Sequence, residues 1–218
     1  MTALSTPSPP EWARSWVAAL IPEEIRSFTP ARSSEVNQVF RVEFESRSLF
    51  LKIGLALRRE YERLRWLDGR QPCPQPVGFT THDTAEALLM SFVPGMDLAD
   101  LAASLPPQVI LTRLATALTA FHATPIADWP FDREESGKTL VHGDACLPNF
   151  LYRGGRLSGF IDLGDMTIGA PEIDLSAAIW SLQYNLGPGY GLAFLHAYGV
   201  KDAEEALVER LRLRYEAG

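Results

Sequence analysis

The sequence predicts an α+β chain of two lobes, a small antiparallel-sheet lobe over residues 1–93 and a mainly helical lobe over residues 94–218. Three observations predict it. Apolar residues alternate with period two through much of the first half and recur at helical spacing through most of the second. The change falls at Pro94-Gly95, a pair that interrupts either pattern. One strand–turn–strand signal, at residues 150–162, breaks into the helical half.

Taken in order, residues 1–10 are rich in Ser, Thr and Pro and read as a loose arm, and residues 11–21 carry apolar side chains at helical spacing. Val39, Phe40, Val42 and Phe44, a polar turn at 45–47, and then 49–53 read as two antiparallel strands. Residues 55–67 return to helical spacing. Leu57, Tyr61, Leu64 and Leu67 lie on one side, and Arg58, Arg59, Glu62 and Arg63 largely on the other. Asp68-Gly69 and the prolines at 72 and 74 end that helix. Two further strands are expected at 77–81 and 87–92. Beyond the break, Val109, Leu111, Leu114, Ala115, Leu118 and Phe121 form a helical stripe, and helices resume near Pro171.

Composition narrows the function classes. The chain has 218 residues, 46% hydrophobic and 22% charged, the balance of an ordinary globular protein. Twenty Lys plus Arg against 27 Asp plus Glu give a net charge of −7, which argues against nucleic acid or an anionic membrane as partner and suits a cationic small molecule. Cys73 and Cys146 form no CxxC pair, and the N-terminus lacks a basic start followed by an apolar run. A reduced, cytoplasmic protein is expected. No apolar stretch approaches 18 residues, and the four histidines show no HExxH spacing.

The chemistry concentrates in Val141-His142-Gly143-Asp144-Ala145-Cys146-Leu147-Pro148-Asn149 and in Phe160-Ile161-Asp162. Singly, Asp144 and Asn149 read as turn residues and Asp162 as a strand-end cap. Jointly they are what phosphoryl transfer requires. One carboxylate orients or deprotonates the attacking hydroxyl, while an amide oxygen and a second carboxylate hold Mg²⁺ against the phosphates. The protein-kinase pattern HRDxxxxN followed by Asp has the same order and the same five-residue step. Upstream, Lys52 projects from an apolar strand and needs an anion, which ATP phosphates and a carboxylate on the next helix, Glu60, would supply. Gly137-Lys138-Thr139 is no P-loop: Asp132 stands where the first glycine belongs.

On these residues the chain resembles the aminoglycoside 3'-phosphotransferases, which share the two-lobed protein-kinase-like fold. Residues 142–150 (HGDACLPNF) are similar to their catalytic loop, 158–164 (SGFIDLG) to their metal-binding segment, 60–67 (EYERLRWL) to their ExxxLxWL helix and 88–94 (LLMSFVP) to their interlobe hinge. The resemblance implies Asp144 as catalytic aspartate, Asn149 and Asp162 as Mg²⁺ ligands, Lys52 on the phosphates and Glu60 as its partner. It further implies Phe50 against adenine, and backbone groups of Ser91 and Val93 at the adenine edge. Asp174 would support the catalytic loop by hydrogen bonding, and His142 would brace it through its ring nitrogens. ATP would occupy the cleft.

The chain departs from that pattern in four ways. Residues 31–40, over the phosphates, contain no glycine, so Ser33, Ser34 and backbone amides are left to cover them. Lys52 and Glu60 are only eight apart, so the helix must start almost as the strand ends. Only residues 133–141 fill the place of a long helical insertion that builds much of the relatives' acidic acceptor pocket. The chain also ends in RYEAG, without their acidic and aromatic terminus, and Asp165 stands where Arg is common. The expected activity is transfer of the γ-phosphoryl group of ATP to a hydroxyl of a cationic, aminoglycoside-like acceptor. A smaller amino alcohol or sugar, and a non-catalytic nucleotide-binding module, are the alternatives.

Overall fold

The computed structural model describes residues 8–31, 37–132 and 137–217. The contacts divide the chain into two units, Met1–Arg65 with Pro74–Phe92 and Trp66–Cys73 with Val93–Gly218. Ser34 and its neighbours 32–36, residues 133–136 and most of the N-terminal arm lie outside the described residues.

The first unit is a five-stranded antiparallel sheet in the order β1-β2-β3-β5-β4. Its strands are β1 (Ser27–Pro30), β2 (Gln38–Glu43), β3 (Ser48–Gly54), β4 (Pro76–His82) and β5 (Ala85–Ser91). Alternation sorts its faces. Phe40, Val42, Leu49, Leu51, Ile53, Ala87 and Leu89 are buried with Ala13 and Val17 of helix α1 (Glu11–Leu20). Gly78 lets the helix close on β4: a Cβ there would come within 2.4 Å of Leu20 and 3.1 Å of Trp16. The intervening positions of β3, Phe50 and Lys52, point to the opposite face, and Lys52 meets helix α2 (Leu57–Leu67) there. β1, which the sequence pattern does not reveal, is a four-residue strand ending in proline and paired to β2 alone, where a missing N–H costs least.

Helix α2 starts two residues later than its apolar spacing predicts, because Ala56 has φ +58° and cannot belong to a right-handed helix. Its sides also differ from the expected ones. Arg63 is buried, with its guanidinium donating to the Arg59 carbonyl, and only Arg58, Arg59 and Arg65 of its arginines lie outward. The strain at Ala56 makes a prediction. Ala56 is exposed, so Ala56→Gly meets no packing penalty. It is expected to stabilise the protein by about 0.5–1 kcal/mol, the strain relieved less the entropy glycine adds to the unfolded chain. A thermal melt should show a rise of roughly 2–4 °C per kcal/mol; a fall would refute it.

In the second unit, β6 (Met96–Asp97), β8 (Phe150–Arg153) and β9 (Arg156–Phe160) form one small antiparallel sheet, and β7 (Thr139–Val141) pairs with β10 (Thr167–Gly169). Among the described residues five α-helices accompany them: α3 (Leu98–Ala102), α4 (Pro107–His122), α5 (Glu172–Leu186), α6 (Gly191–Tyr198) and α7 (Glu205–Glu216). α5 is buried around most of its circumference, as a central helix must be, and α4 buries its predicted stripe except for Val109, which is half-buried. Residues 66–73 group with this unit for identifiable reasons. Phe160 N–H donates to the Pro72 carbonyl (2.9 Å), Gln71 Nε2 to Thr124 Oγ1 (2.8 Å) and Arg70 to Asp128 (2.6 Å), while Trp66 meets Trp129 edge-on. Among the described residues, no helix is long and apolar enough to cross a membrane.

Candidate active site

In the first unit Lys52 and Phe50 lie on one face of the sheet, where α2 brings Glu60, whereas Ser91, opposite Leu49 in the ladder, belongs to the other face. Lys52 Nζ is 2.7 Å from Glu60 Oε2, with the two side chains only 8% and 3% exposed. The eight-residue spacing allows this because only Leu55 and Ala56 separate β3 from α2, which sets Glu60 in the first turn. The pair is pre-assembled, and removing either partner alone would leave a buried charge at a cost of about 3–5 kcal/mol. Phe50 shares the face of Lys52, two residues away, and its ring is 5.8 Å from that of Phe92. Arg41, opposite Phe50 in the ladder, lays its guanidinium over Phe92 at 4.9 Å. Ser91 closes β5 with both its N–H and its hydroxyl bonded to Gln75, at 2.8 Å each.

In the second unit the 142–149 segment is tied down from below and from behind. Asp174, in the first turn of α5 and fully buried, accepts from His142 N–H (2.7 Å) and Gly143 N–H (2.9 Å). It also accepts from His122 Nε2 at 2.8 Å, and His122 Nδ1 in turn meets the Tyr198 hydroxyl at 2.7 Å. The start of α5 favours a carboxylate electrostatically. Gly143 has φ +88°, and a Cβ on it would fall 2.4 Å from the Asp165 carbonyl oxygen, so the segment presses its backbone against the turn after Asp162. Leu147 N–H is held by Ser181 Oγ of α5 at 2.9 Å.

His142 differs from the expectation. Its Nδ1 accepts from Asp144 N–H at 3.4 Å, but Nε2 is buried with no hydrogen-bond partner among the described residues. The other hold on it is aromatic packing: its ring contacts those of Phe121 and Phe150. One nitrogen, rather than both, braces the loop.

Asp144, Asn149 and Asp162 come together through this framework. Asn149 Nδ2 donates to both the Asp144 carbonyl (2.8 Å) and Asp144 Oδ2 (3.0 Å). The hairpin register sets Phe150 opposite Phe160, and Ile161 N–H donates to the Asn149 carbonyl at 3.1 Å, so the residue before Asp162 is bonded to Asn149. Asp162 itself has φ +59°, a strained conformation for a non-glycine residue and one that concentrates at functional sites. With its nitrogen spent on Asp144, the Asn149 amide offers its oxygen. Val93 packs on Gly159, where a Cβ would come within 2.7 Å of Val93 Cγ1. Cys146 is buried beside Asp144. Burial first, then that carboxylate, pushes its thiol up to about 12, so it stays neutral and unreactive.

Sequence reasoning did not single out His122, Tyr198, Ser181 or Tyr215. Each reaches the site across 34 to 76 positions of chain, and no local pattern marks such a contact. Tyr215, on α7, donates to Asp144 Oδ1 at 3.4 Å.

A sheet unit with a buried strand lysine paired to a helix glutamate, and a helical unit carrying Asp, Asn and Asp around a hairpin, define a protein-kinase-like fold. The chain belongs to the phosphotransferase enzyme family APH, whose family model matches residues 27–138 and 126–212. An aminoglycoside 3'-phosphotransferase of Niallia circulans is 27% identical, over 89% of this chain and 94% of that protein. One from Enterococcus faecalis is 21% identical over 82% and 89%. The crystal structure of an aminoglycoside-3'-phosphotransferase of type VIII shares the fold, with a TM-score of 0.69 at 21% identity, covering 94% of this chain and 98% of that one. The alignment to the Niallia protein runs over 252 positions against 218 residues here, so that relative carries internal residues without a counterpart in this chain. Among the described residues of 123–138, none is helical.

Proposed function

We propose that this phosphotransferase moves the γ-phosphoryl group of ATP to a hydroxyl of a cationic, aminoglycoside-like acceptor. The observation that carries the reading is the Asp144–Asn149–Asp162 arrangement: a carboxylate held by the Asn149 amide nitrogen, with the residue before Asp162 bonded through its N–H to the Asn149 carbonyl. The acceptor class comes from the names of the relatives, which are aminoglycoside 3'-phosphotransferases, and the net charge of −7 suits a polycation. ATP as donor and two buried thiols fit a reduced cytoplasm.

Asp144 orients the acceptor hydroxyl and accepts its proton as the oxygen–phosphorus bond forms and the bond to the ADP oxygen breaks. Lys52, fixed by Glu60, contacts the donor phosphates, and Phe50 lies against the adenine. Val93 N–H and the Ser91 carbonyl serve the base edge, since the Ser91 N–H already serves Gln75. Asn149 and Asp162 fit Mg²⁺, because an amide oxygen and a carboxylate are the hard donors that this ion takes. When bound, Mg²⁺ neutralises phosphate charge. The residue span 1–93 would act as the nucleotide lobe with its hinge, and 94–218 as the catalytic and acceptor lobe.

The test is Mg²⁺-dependent transfer of labelled phosphate from ATP, screened across kanamycin-like antibiotics, choline-like alcohols and amino sugars. Labelled kanamycin-type product is the expected result. Label only on a small amino alcohol or sugar would reassign the acceptor, which the shortened 133–141 segment makes the specific second reading. No Mg²⁺-dependent turnover of ATP at all would leave a nucleotide-binding module.

A further inference from the structure

The two oxygens of the Asp144 carboxylate are held by one residue five positions away and by another 71 positions away. Asn149 Nδ2 donates to Oδ2 at 3.0 Å, and the Tyr215 hydroxyl, in the last turn of α7, donates to Oδ1 at 3.4 Å. The tyrosine is itself placed by its neighbours. Its ring packs on Trp180 of α5, with centroids 5.1 Å apart and planes tilted by 37°, and Trp180 stacks on Tyr184 at 5.3 Å. Its oxygen lies 3.5 Å from Cys146 Sγ. Burial first, then Cys146 and Asp144, hold the phenol above its ordinary titration range, so it remains a donor at neutral pH.

A carboxylate turns easily about its last torsion, which has broad, shallow preferences. One donor on one oxygen leaves the plane free to tilt, whereas donors on both oxygens fix it. Each oxygen keeps a second lone pair for an incoming hydroxyl. We infer that Tyr215 is a positioning residue for Asp144, setting the carboxylate plane that an acceptor hydroxyl meets. This rests on the reading of Asp144 as the group that orients that hydroxyl. Helix α7 thereby acts on the reacting group through its tyrosine.

Tyr215→Phe keeps the ring on Trp180 and removes only the hydroxyl. Single-turnover Mg²⁺-dependent consumption of ATP, with water and with kanamycin as acceptors, is measured for the wild type, Tyr215→Phe, Asp144→Asn and the double variant. The expected result for Tyr215→Phe is about a tenfold lower rate at saturating ATP, with the KM for ATP and the melting temperature unchanged. In the Asp144→Asn background the same change should alter the rate less than twofold, because the carboxylate it aligned is gone. A rate for Tyr215→Phe within twofold of wild type, or an equal loss in both backgrounds, overturns the inference. Equal rates for wild type and Asp144→Asn, or no turnover by the wild type, remove the underlying reading of Asp144, and the inference with it.

Discussion

Asp144→Asn is expected to lower phosphoryl transfer by about 10²–10⁴-fold while leaving ATP affinity and the melting temperature close to wild type. The asparagine is nearly isosteric, and its side-chain oxygen can still accept from Asn149 Nδ2, as Asp144 Oδ2 does. The backbone contacts, Asn149 Nδ2 on the carbonyl and the N–H on His142 Nδ1, do not involve the side chain. What disappears is the negative charge that aligns a hydroxyl and accepts its proton. Nucleotide contacts assigned to Lys52, Phe50, Ser91 and Val93 lie elsewhere in the chain, so binding of a fluorescent ADP analogue should be retained. Steady-state rates, nucleotide titration and a thermal melt on one preparation separate the cases. A rate within twofold of wild type would refute the role of Asp144. Lost nucleotide binding with a lowered melt would show instead that the residue holds the fold.

How much of this was legible in the sequence depends on the range of each contact. The Lys52–Glu60 pair could be read because a strand running almost directly into a helix fixes where residue 60 must fall. Asp144, Asn149 and Asp162 could be read because a five-residue step and one hairpin determine their proximity, and Asp174 through a motif shared with relatives. β6, β7 and β10 are two or three residues long, too short for any period to show, and they pair with partners over 25 residues away. His122 ends an apolar helical stripe, where its sequence context shows only a core helix. Its bonds to Asp174 and Tyr198 exist because α4, α5 and α6 pack together. Tyr215 sits among charged residues on α7 and is distinguished only by the packing of that helix against α5. Arg63 reads as a solvated charge until its guanidinium is seen to fold back on its own helix.

The other large effect falls on Asp174, and it separates holding the loop from doing the chemistry. Its side chain is fully buried and gathers three donors, two of them backbone N–H groups of the segment that carries Asp144. Asp174→Ala leaves His142 N–H and Gly143 N–H without that acceptor, each at about 1–3 kcal/mol where water cannot replace it, and takes from His122 its carboxylate partner. A loss of roughly 3–5 kcal/mol of stability is expected, the range for breaking a buried hydrogen-bonded pair. The melt should fall by about 2–4 °C for each kcal/mol. Asp174→Asn should lie between, since one oxygen still accepts while the amide nitrogen faces a donor. Activity should fall in both, because Gly143 is wedged against Asp165 and cannot shift without carrying Asp144 off its alignment with Asn149. The contrast with Asp144→Asn is the informative measurement: there activity is lost with the melt preserved, and here both are lost together. An Asp174→Ala protein that melts within 1–2 °C of wild type would show that the bonds to His142 and Gly143 do not hold the segment in place.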